Sequence, residues 1–497
     1  MGLIKKVLIA NRGEIALRII RTCKEKGIRT VAVYSEPDAK SPHVLAADES
    51  VCIGPAKSSS SYLNMDRLMD AVKLTHSDAI HPGYGFLSEN AEFAKLCGKN
   101  GIIFIGPSPE SIEMMGDKTR ARKLISEANV PYPPGSQSEL ESIPEGKQIA
   151  NDIGYPVLIK AAAGGGGKGM RIIYHEKDFE SGVKAAKSEA KNAFGDDRVF
   201  VEKYLEQPRH IEFQIFADQY GNTIHLFERE CSIQRRHQKV IEEAPSPLMD
   251  ESLRAQMSKA AISVAKSCQY VGAGTVEFLV DKHKNFYFLE MNTRLQVEHP
   301  VTELITGLDL VSLQIDVANG KKLPLSQKDV SIDGHAIECR IYAEDPENNF
   351  LPSTGKLSRH RIPSGPGIRV DAGIEEDQVV SIHYDPMLSK LCSHSHDRKS
   401  SIQKMLRALD EYEVSGVKTT IPFCKYTLNH QSFKKGVYDT HFVKDHFNPK
   451  VNTSNKTDFD AIMIVSSMLK MKSKSKSTSI VQSNYLVPDG WWKQRRK

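Results

Sequence analysis

The chain has 497 residues and a formal net charge of +5, from 67 Lys and Arg against 62 Asp and Glu. Residues 470–497 hold six Lys and two Arg against one Asp, so this tail carries +7 and the body, residues 1–469, carries −2. A slightly acidic body with no apolar run near the ~20 residues of a membrane span argues against both nucleic-acid binding and membrane insertion. Length sets an expectation of roughly two to four domains. The eight cysteines are scattered without a CxxC spacing, so single buried thiols in a reducing, cytoplasmic setting are expected. Met1–Ala10 enters a strand too early for a signal peptide, and Lys6 stands where a myristoylated chain prefers Ser or Thr.

In chain order, Lys6–Ala10 reads as a strand, and Asn11-Arg12-Gly13-Glu14 reads as the cap of a helix with apolar Ile15, Leu17, Ile19 and Ile20. Thr30–Tyr34 is the next strand. Asp78-Ala79-Ile80 leads into a loop, His81–Asn90, then a helix to about Gly98 and a strand at Ile102–Ile105. This alternation predicts an open parallel sheet of the doubly wound type. The first strand lacks the usual phosphate glycines. The His81–Asn90 loop lies at a strand's carboxyl end, where such sheets bind ligands; a purely structural turn fits it equally well.

Residues 116–150 read as mainly helical, with a boundary at Pro131-Tyr132-Pro133-Pro134-Gly135. Tyr155–Ala161 is a strand that runs into Gly164-Gly165-Gly166-Gly167-Lys168-Gly169, and Met170–Tyr174 is β-rich again. A dinucleotide fingerprint needs a helix after its glycines, and a Walker loop needs Ser or Thr where Gly169 stands. Strand, glycine turn and strand make a flap whose amides can fold over phosphates, with Lys168 as a point charge. Lys160, at the end of an apolar strand, calls for an anionic partner. The charged run Glu228–Pro245 reads as a loop presenting Arg, His and Lys to an anion.

Gly274–Asp281 and Phe286–Glu290 flank a short polar turn, which predicts a hairpin. A turn centred between His283 and Lys284 sets Glu277 opposite Glu290, with Cβ atoms about 5 Å apart. Opposed carboxylates on an apolar surface repel unless a cation lies between them. Glu277, Glu290 and Asn292 are therefore a candidate Mg²⁺ site facing a nucleotide. From Glu290 to Glu298 every second residue is charged or amide-bearing. In extended chain this puts two carboxylates, a guanidinium and two amides on one side, a face suited to a metal and a small anion. Gly334 to about Tyr438 reads as a smaller mixed α/β unit. After Pro449 comes a Lys/Ser linker, then Trp491, Trp492 and a basic end.

From about residue 3 to 445 the chain resembles biotin carboxylase of the ATP-grasp superfamily. The resemblance rests on Ala10–Ala16, His81–Asn90, Met115–Lys118, the glycine flap, Gln234-Arg235-Arg236-His237-Gln238-Lys239 and Glu290–Thr302. It implies an N-terminal doubly wound α/β domain (1–115), an ATP-grasp domain (116–330) with a glycine-rich lid at about 131–210, a C-terminal mixed α/β domain (331–447) and a flexible basic tail (448–497). The implied reaction is the carboxylation of biotin with ATP and bicarbonate. In that family's pattern, Lys118, Lys160, Gly165, Gly166, Gly167, Gln234, His210 and His237 would serve the ATP phosphates and ribose. Glu202, Lys203, Leu205 and Leu279 would form the adenine pocket. Glu277, Glu290 and Asn292 would hold Mg²⁺ or Mn²⁺. Lys239, Arg294, Gln296 and the backbone of Val297 would seat bicarbonate, Glu298 would deprotonate it, and Arg340 would stabilise the biotin enolate. Met468-Leu469-Lys470-Met471 is only a faint echo of a biotin-acceptor sequence, so biotin is expected on a separate biotin carboxyl carrier protein, with a carboxyltransferase subunit and a homodimer as further expected partners. A different ATP-grasp ligase is the alternative enzyme, and a non-catalytic nucleotide-binding subunit the alternative of another class. The final acyl acceptor stays open.

Overall fold

The structure, a computed structural model, describes residues 3–136, 138–162, 169–448 and 465–468, without the side chains of Lys118 and Phe194. Five short strands open the chain: β1 (Lys6–Ile9), β2 (Arg29–Ser35), β3 (Glu49–Gly54), β4 (Ala79–His81) and β5 (Ile103–Phe104). All pair in parallel in the order β3-β2-β1-β4-β5, the doubly wound sheet read from the alternation. The helix α1 (Gly13–Glu25) follows β1 and buries Ile15, Ile19, Ile20 and Cys23 along one side, as a 3.6-residue period requires.

The expected cap of α1 is different. Arg12 is the N-cap and makes no side-chain capping bond. Asn11 instead donates to the Pro82 and Tyr84 carbonyls, both at 2.7 Å, tying together the loops that leave β1 and β4. Gly83 has φ +63°, and a Cβ there would meet the Asn11 amide at 3.0 Å and Ile15 at 3.1 Å. Glycine is needed at this close approach.

A three-stranded sheet follows: β6 (Val157–Ala161), β7 (Met170–Ile173) and β8 (Val199–Lys203), antiparallel in the order β7-β6-β8. β6 and β7, the strands read on either side of the glycines, pair antiparallel from Val157↔Ile173 to Lys160↔Met170. Helix Phe179–Phe194 packs on this sheet and shares a core of Val157, Ile159, Phe179, Val183 and Val201.

Eight strands form one antiparallel sheet: β9 (Arg209–Ala217), β10 (Thr223–Arg235), β11 (Gln238–Ala244), β12 (Gly272–Val280), β13 (Phe286–Asn292), β14 (His335–Tyr342), and the strands Ile368–Ala372 and Met387–Ser395; six shorter strands after β14 pair in three two-stranded sheets. Their order is β13-β12-β9-β10-β11-β14, then Met387–Ser395 and Ile368–Ala372. β14 therefore hydrogen-bonds directly onto β11 and carries the two later strands beyond it, and one hydrophobic core joins β10, β11 and β14 to Phe423, Leu428 and Phe433. Residues up to Phe447 form one compact unit, and those from Asn448 a second. No helix among the described residues is long and apolar enough to cross a membrane.

The run Glu228–Pro245 is not a loop. β10 and β11 make a tight hairpin with Arg235 paired to Gln238. Arg236 (φ +48°) and His237 (φ +66°) are its two turn residues, the positive-φ geometry that matches strand twist. Its charged side chains are mostly buried in pairs, which is why charge density misled. Between Ile233↔Ile241 and Gln234↔Lys239 the register slips by one residue, leaving Val240 as a bulge. Alternation restarts there, so Lys239 and Glu242, three apart, reach the same face.

Candidate active site

A cavity of about 1080 Å³ lies over β9, β12 and β13, with β6, β7 and β8 on one side and Arg340 and the His383–Asp385 loop on the other. Lys160, Glu202, Lys203, Leu205, His210, Gln234, His237, Lys239, Glu277, Leu279, Glu290, Asn292, Arg294, Gln296, Val297 and Arg340 all line it. Glu298 lies buried beneath, at 0% exposure. Gly165, Gly166, Gly167 and Lys168, together with the Lys118 side chain and the tail's Lys470, Trp491 and Trp492, fall outside the described residues.

Glu277 and Glu290 do pair directly across β12 and β13. A bulge at Leu289 makes this so: Phe278 pairs Phe288, yet Glu277 pairs Glu290. Without the slip Glu277 would face Leu289. Asn292 donates to Glu277 at 2.9 Å, and Gln296 donates to it at 3.1 Å. His210 Nε2 lies 2.8 Å from its other oxygen. Burial opposes the Glu277 charge, but Lys239 and His210 outweigh it and hold the carboxyl below the ordinary range. Two carboxylates and an amide oxygen on one strand pair are hard donors of the type Mg²⁺ takes.

The extended reading of Glu290–Glu298 holds only to Asn292. The strand ends there, and Glu298 is the N-cap of helix His299–Thr306. The polar side chains nevertheless converge. Arg294 donates to Glu89 at 2.8 Å, to Asn292 Oδ1 at 2.9 Å and to Gln296 Oε1 at 3.0 Å. Glu89, in the His81–Asn90 loop, also accepts from the Thr293 amide at 3.0 Å. That loop is thus tied to the site.

Lys239 is the hub. Its ammonium donates to Glu298 at 2.7 Å, to Glu277 at 2.8 Å and to Glu212. Burial works against this charge, but the three carboxylates hold its pKa well above the ordinary lysine value. Glu298 is also bound by Arg340 Nη2 at 3.0 Å. Against burial, Lys239 and Arg340 keep the Glu298 carboxyl well below its usual range, so it is a buried anion. Arg340 Nε meets Glu242 at 2.6 Å.

At the other end of the cavity, Lys160 pairs with Glu202, the anionic partner its position called for, and Arg122 binds Glu202 at 3.0 Å. Lys203 donates to the Gly154 and Tyr155 carbonyls at 2.9 and 3.2 Å. Gln234 contacts His210 Nδ1 at 2.7 Å. Burial, with His210 and Lys160 nearby, lowers the His237 pKa.

Three network members escaped the sequence reading: Glu212, Arg229 and Glu242. Arg229 is wholly buried and binds Glu212, Gln214 Oε1 at 2.8 Å and Thr302 at 2.8 Å. Glu212 carried a signal, since His210, Glu212 and Gln214 alternate along one strand and must share a face. Arg229 and Glu242 sat inside the run taken for a loop.

Residues 117–326 match the family model of the carbamoyl-phosphate synthase L chain ATP-binding domain. The central region, with its two opposed glutamates, is thus an ATP-grasp module. The flanking regions match the biotin carboxylase N-terminal domain over 3–112 and C-terminal domain over 338–445. Biotin carboxylase 1 of Bacillus subtilis is 52% identical over 443 residues, covering 89% of this chain and 98% of that one. The human mitochondrial propionyl-CoA carboxylase alpha chain is 52% identical over 442 residues, 88% of this chain but 61% of that one. A Campylobacter jejuni biotin carboxylase–β,γ-ATP complex superposes with a TM-score of 0.87 at 49% identity, covering 89% and 99% of the two chains. The biotin carboxylase domain dimer of Hydrogenobacter thermophilus 2-oxoglutarate carboxylase, with MgADP, ADP and bicarbonate, gives 0.87 at 47% identity, covering 92% and 100%. This chain belongs to the biotin carboxylase family of ATP-dependent ligases.

Proposed function

We propose that the protein carboxylates biotin with ATP and bicarbonate by way of carboxyphosphate, as the first half-reaction of a biotin-dependent carboxylase. The single observation that carries this reading is Glu298: fully buried, yet held as an anion by Lys239 and Arg340, both of which line the cavity above it. A buried anion between two cations, beside Arg294, Gln296 and the Val297 backbone, is a seat for a small oxyanion and a base for its proton. Bicarbonate needs both, because it is a weak nucleophile until deprotonated.

On this reading Arg294, Gln296 and Lys239 hold bicarbonate and Glu298 accepts its proton. Lys160 and Lys118 meet the ATP phosphates, His210, Gln234 and His237 flank them, and Glu202, Lys203, Leu205 and Leu279 surround the base. Glu277, Glu290 and Asn292 would hold Mg²⁺, which when bound neutralises phosphate charge. The lid excludes water from carboxyphosphate, which water would otherwise hydrolyse. Arg340 meets the oxygen of the biotin ureido group as charge develops there.

On this reading biotin arrives on a separate carrier protein and leaves, carboxylated, for a carboxyltransferase. A homodimer is in keeping with the dimeric Hydrogenobacter domain. The test is ADP formation by purified protein. It should need bicarbonate and rise when free biotin is added. Turnover that ignores biotin but responds to ammonia or an amino acid would assign the chain to another ATP-grasp ligase.

A further inference from the structure

Glu242 and Glu338 stand directly opposite each other on β11 and β14. Side chains so placed share a face, with Cβ atoms about 5 Å apart. Both are buried, at 1% and 0% exposure. Their surroundings differ. Glu242 Oε1 lies 2.6 Å from Arg340 Nε, an ion pair without hydrogen-bond geometry. Glu338 makes no ion pair among the described residues and accepts only from the Cys392 thiol, at 3.4 Å. Lys390, on the next strand, is committed to the Val297 carbonyl at 2.9 Å and to Glu14 at 3.2 Å.

Two buried carboxylates this close do not both ionise around one guanidinium. The proton belongs on the carboxyl that lacks the cation. Arg340 is then gripped on two edges, Nε by Glu242 and Nη2 by Glu298 at 3.0 Å. Nη1, 3.4 Å from the Tyr342 hydroxyl, is its least engaged corner.

We propose that Glu242 is a positioning residue for the biotin step: it is the anion that fixes the Arg340 guanidinium, while Glu338 opposite carries the proton that limits the pair to one negative charge. This rests on the functional reading above. Burial, reinforced by Glu242, holds the Glu338 carboxyl well above its ordinary range despite Lys390. Burial also raises Glu242, to about 7, against the pull of Arg340, with Glu298 adding to the rise and Lys239 opposing it.

The test compares wild type with Glu242→Gln, Glu242→Asp and Glu338→Gln in ATP cleavage driven by free biotin at saturating bicarbonate. Glu242→Gln lowers kcat/KM for biotin at least about tenfold, the scale of a lost charge-assisted contact, while KM for ATP moves less than about twofold. Glu242→Asp recovers part of the loss because the charge remains. Glu338→Gln imitates a protonated carboxyl and keeps kcat/KM for biotin within about threefold. Equal losses in Glu242→Gln and Glu338→Gln overturn the proposal, as does a Glu242→Gln enzyme with wild-type kcat/KM for biotin. Should Glu242→Gln not fold, the other two decide: a loss in Glu242→Asp with Glu338→Gln near wild type supports the proposal, and the reverse overturns it. A wild type that ignores biotin refutes the functional reading, and the positioning role with it, before any variant is made.

Discussion

Replacing Lys239 with the uncharged, similarly long Met removes the one cation shared by Glu212, Glu277 and Glu298. Its contacts of 2.7 and 2.8 Å to Glu298 and Glu277 each correspond to about 6 kcal/mol of attraction at an effective dielectric of about 20. Most of that is offset by the cost of taking the charges out of water, and breaking a buried pair by removing one partner costs about 3–5 kcal/mol. Lys239→Met leaves three carboxylates facing one another with Arg229, Arg340 and His210 as remaining partners, so a loss of about 4 kcal/mol near neutral pH is expected.

The sign of the pH effect follows. In wild type, Glu277 and Glu298 are depressed, so their stabilisation is present above the unfolded pKa and fades as pH falls. Without Lys239 their pKa values rise above the unfolded value, the native state takes up protons first, and acid favours it. The deficit should shrink by up to about 1.4 kcal/mol per pH unit for each extra proton bound. Urea unfolding of both proteins from about pH 8 to about pH 5.5 reads this directly. A deficit under about 1 kcal/mol, or one that does not narrow toward acid, would refute the charge hub.

Other outcomes are expected from the same geometry. Glu298→Gln should bind ATP normally but lose bicarbonate-dependent turnover by about 10²–10⁴-fold, measured as ADP release. Glu290→Gln should raise the Mg²⁺ concentration for half-maximal rate by at least about tenfold, read by metal titration at fixed ATP. Asn11→Ala removes two donors to the Pro82 and Tyr84 carbonyls. It should cost about 1–3 kcal/mol in chemical denaturation.

Much of this was legible where a local rule operates. The doubly wound sheet followed from alternation, and the two strands β6 and β7 from the β-rich runs on either side of the glycines. The opposition of Glu277 and Glu290 followed from turn arithmetic, although a bulge at Leu289 was needed to realise it. What was hidden depends on contacts between distant segments. Arg229 and Glu242 look like a solvated charge run because burial is invisible without the partners that neutralise them, and those lie on β9 and β14. Asn11 looks like a cap because its true acceptors are about seventy residues away. The bulge at Val240, which turns Lys239 and Glu242 to one face, leaves no mark in composition. The individual ligand roles came from the resemblance rather than from pattern.

The most direct measurement is transfer of label from carbon-labelled bicarbonate to free biotin by the purified protein with ATP and Mg²⁺. The account predicts labelled carboxybiotin formed in step with ADP and abolished in Glu298→Gln. ADP formed without label in biotin, in wild type under these conditions, would contradict it.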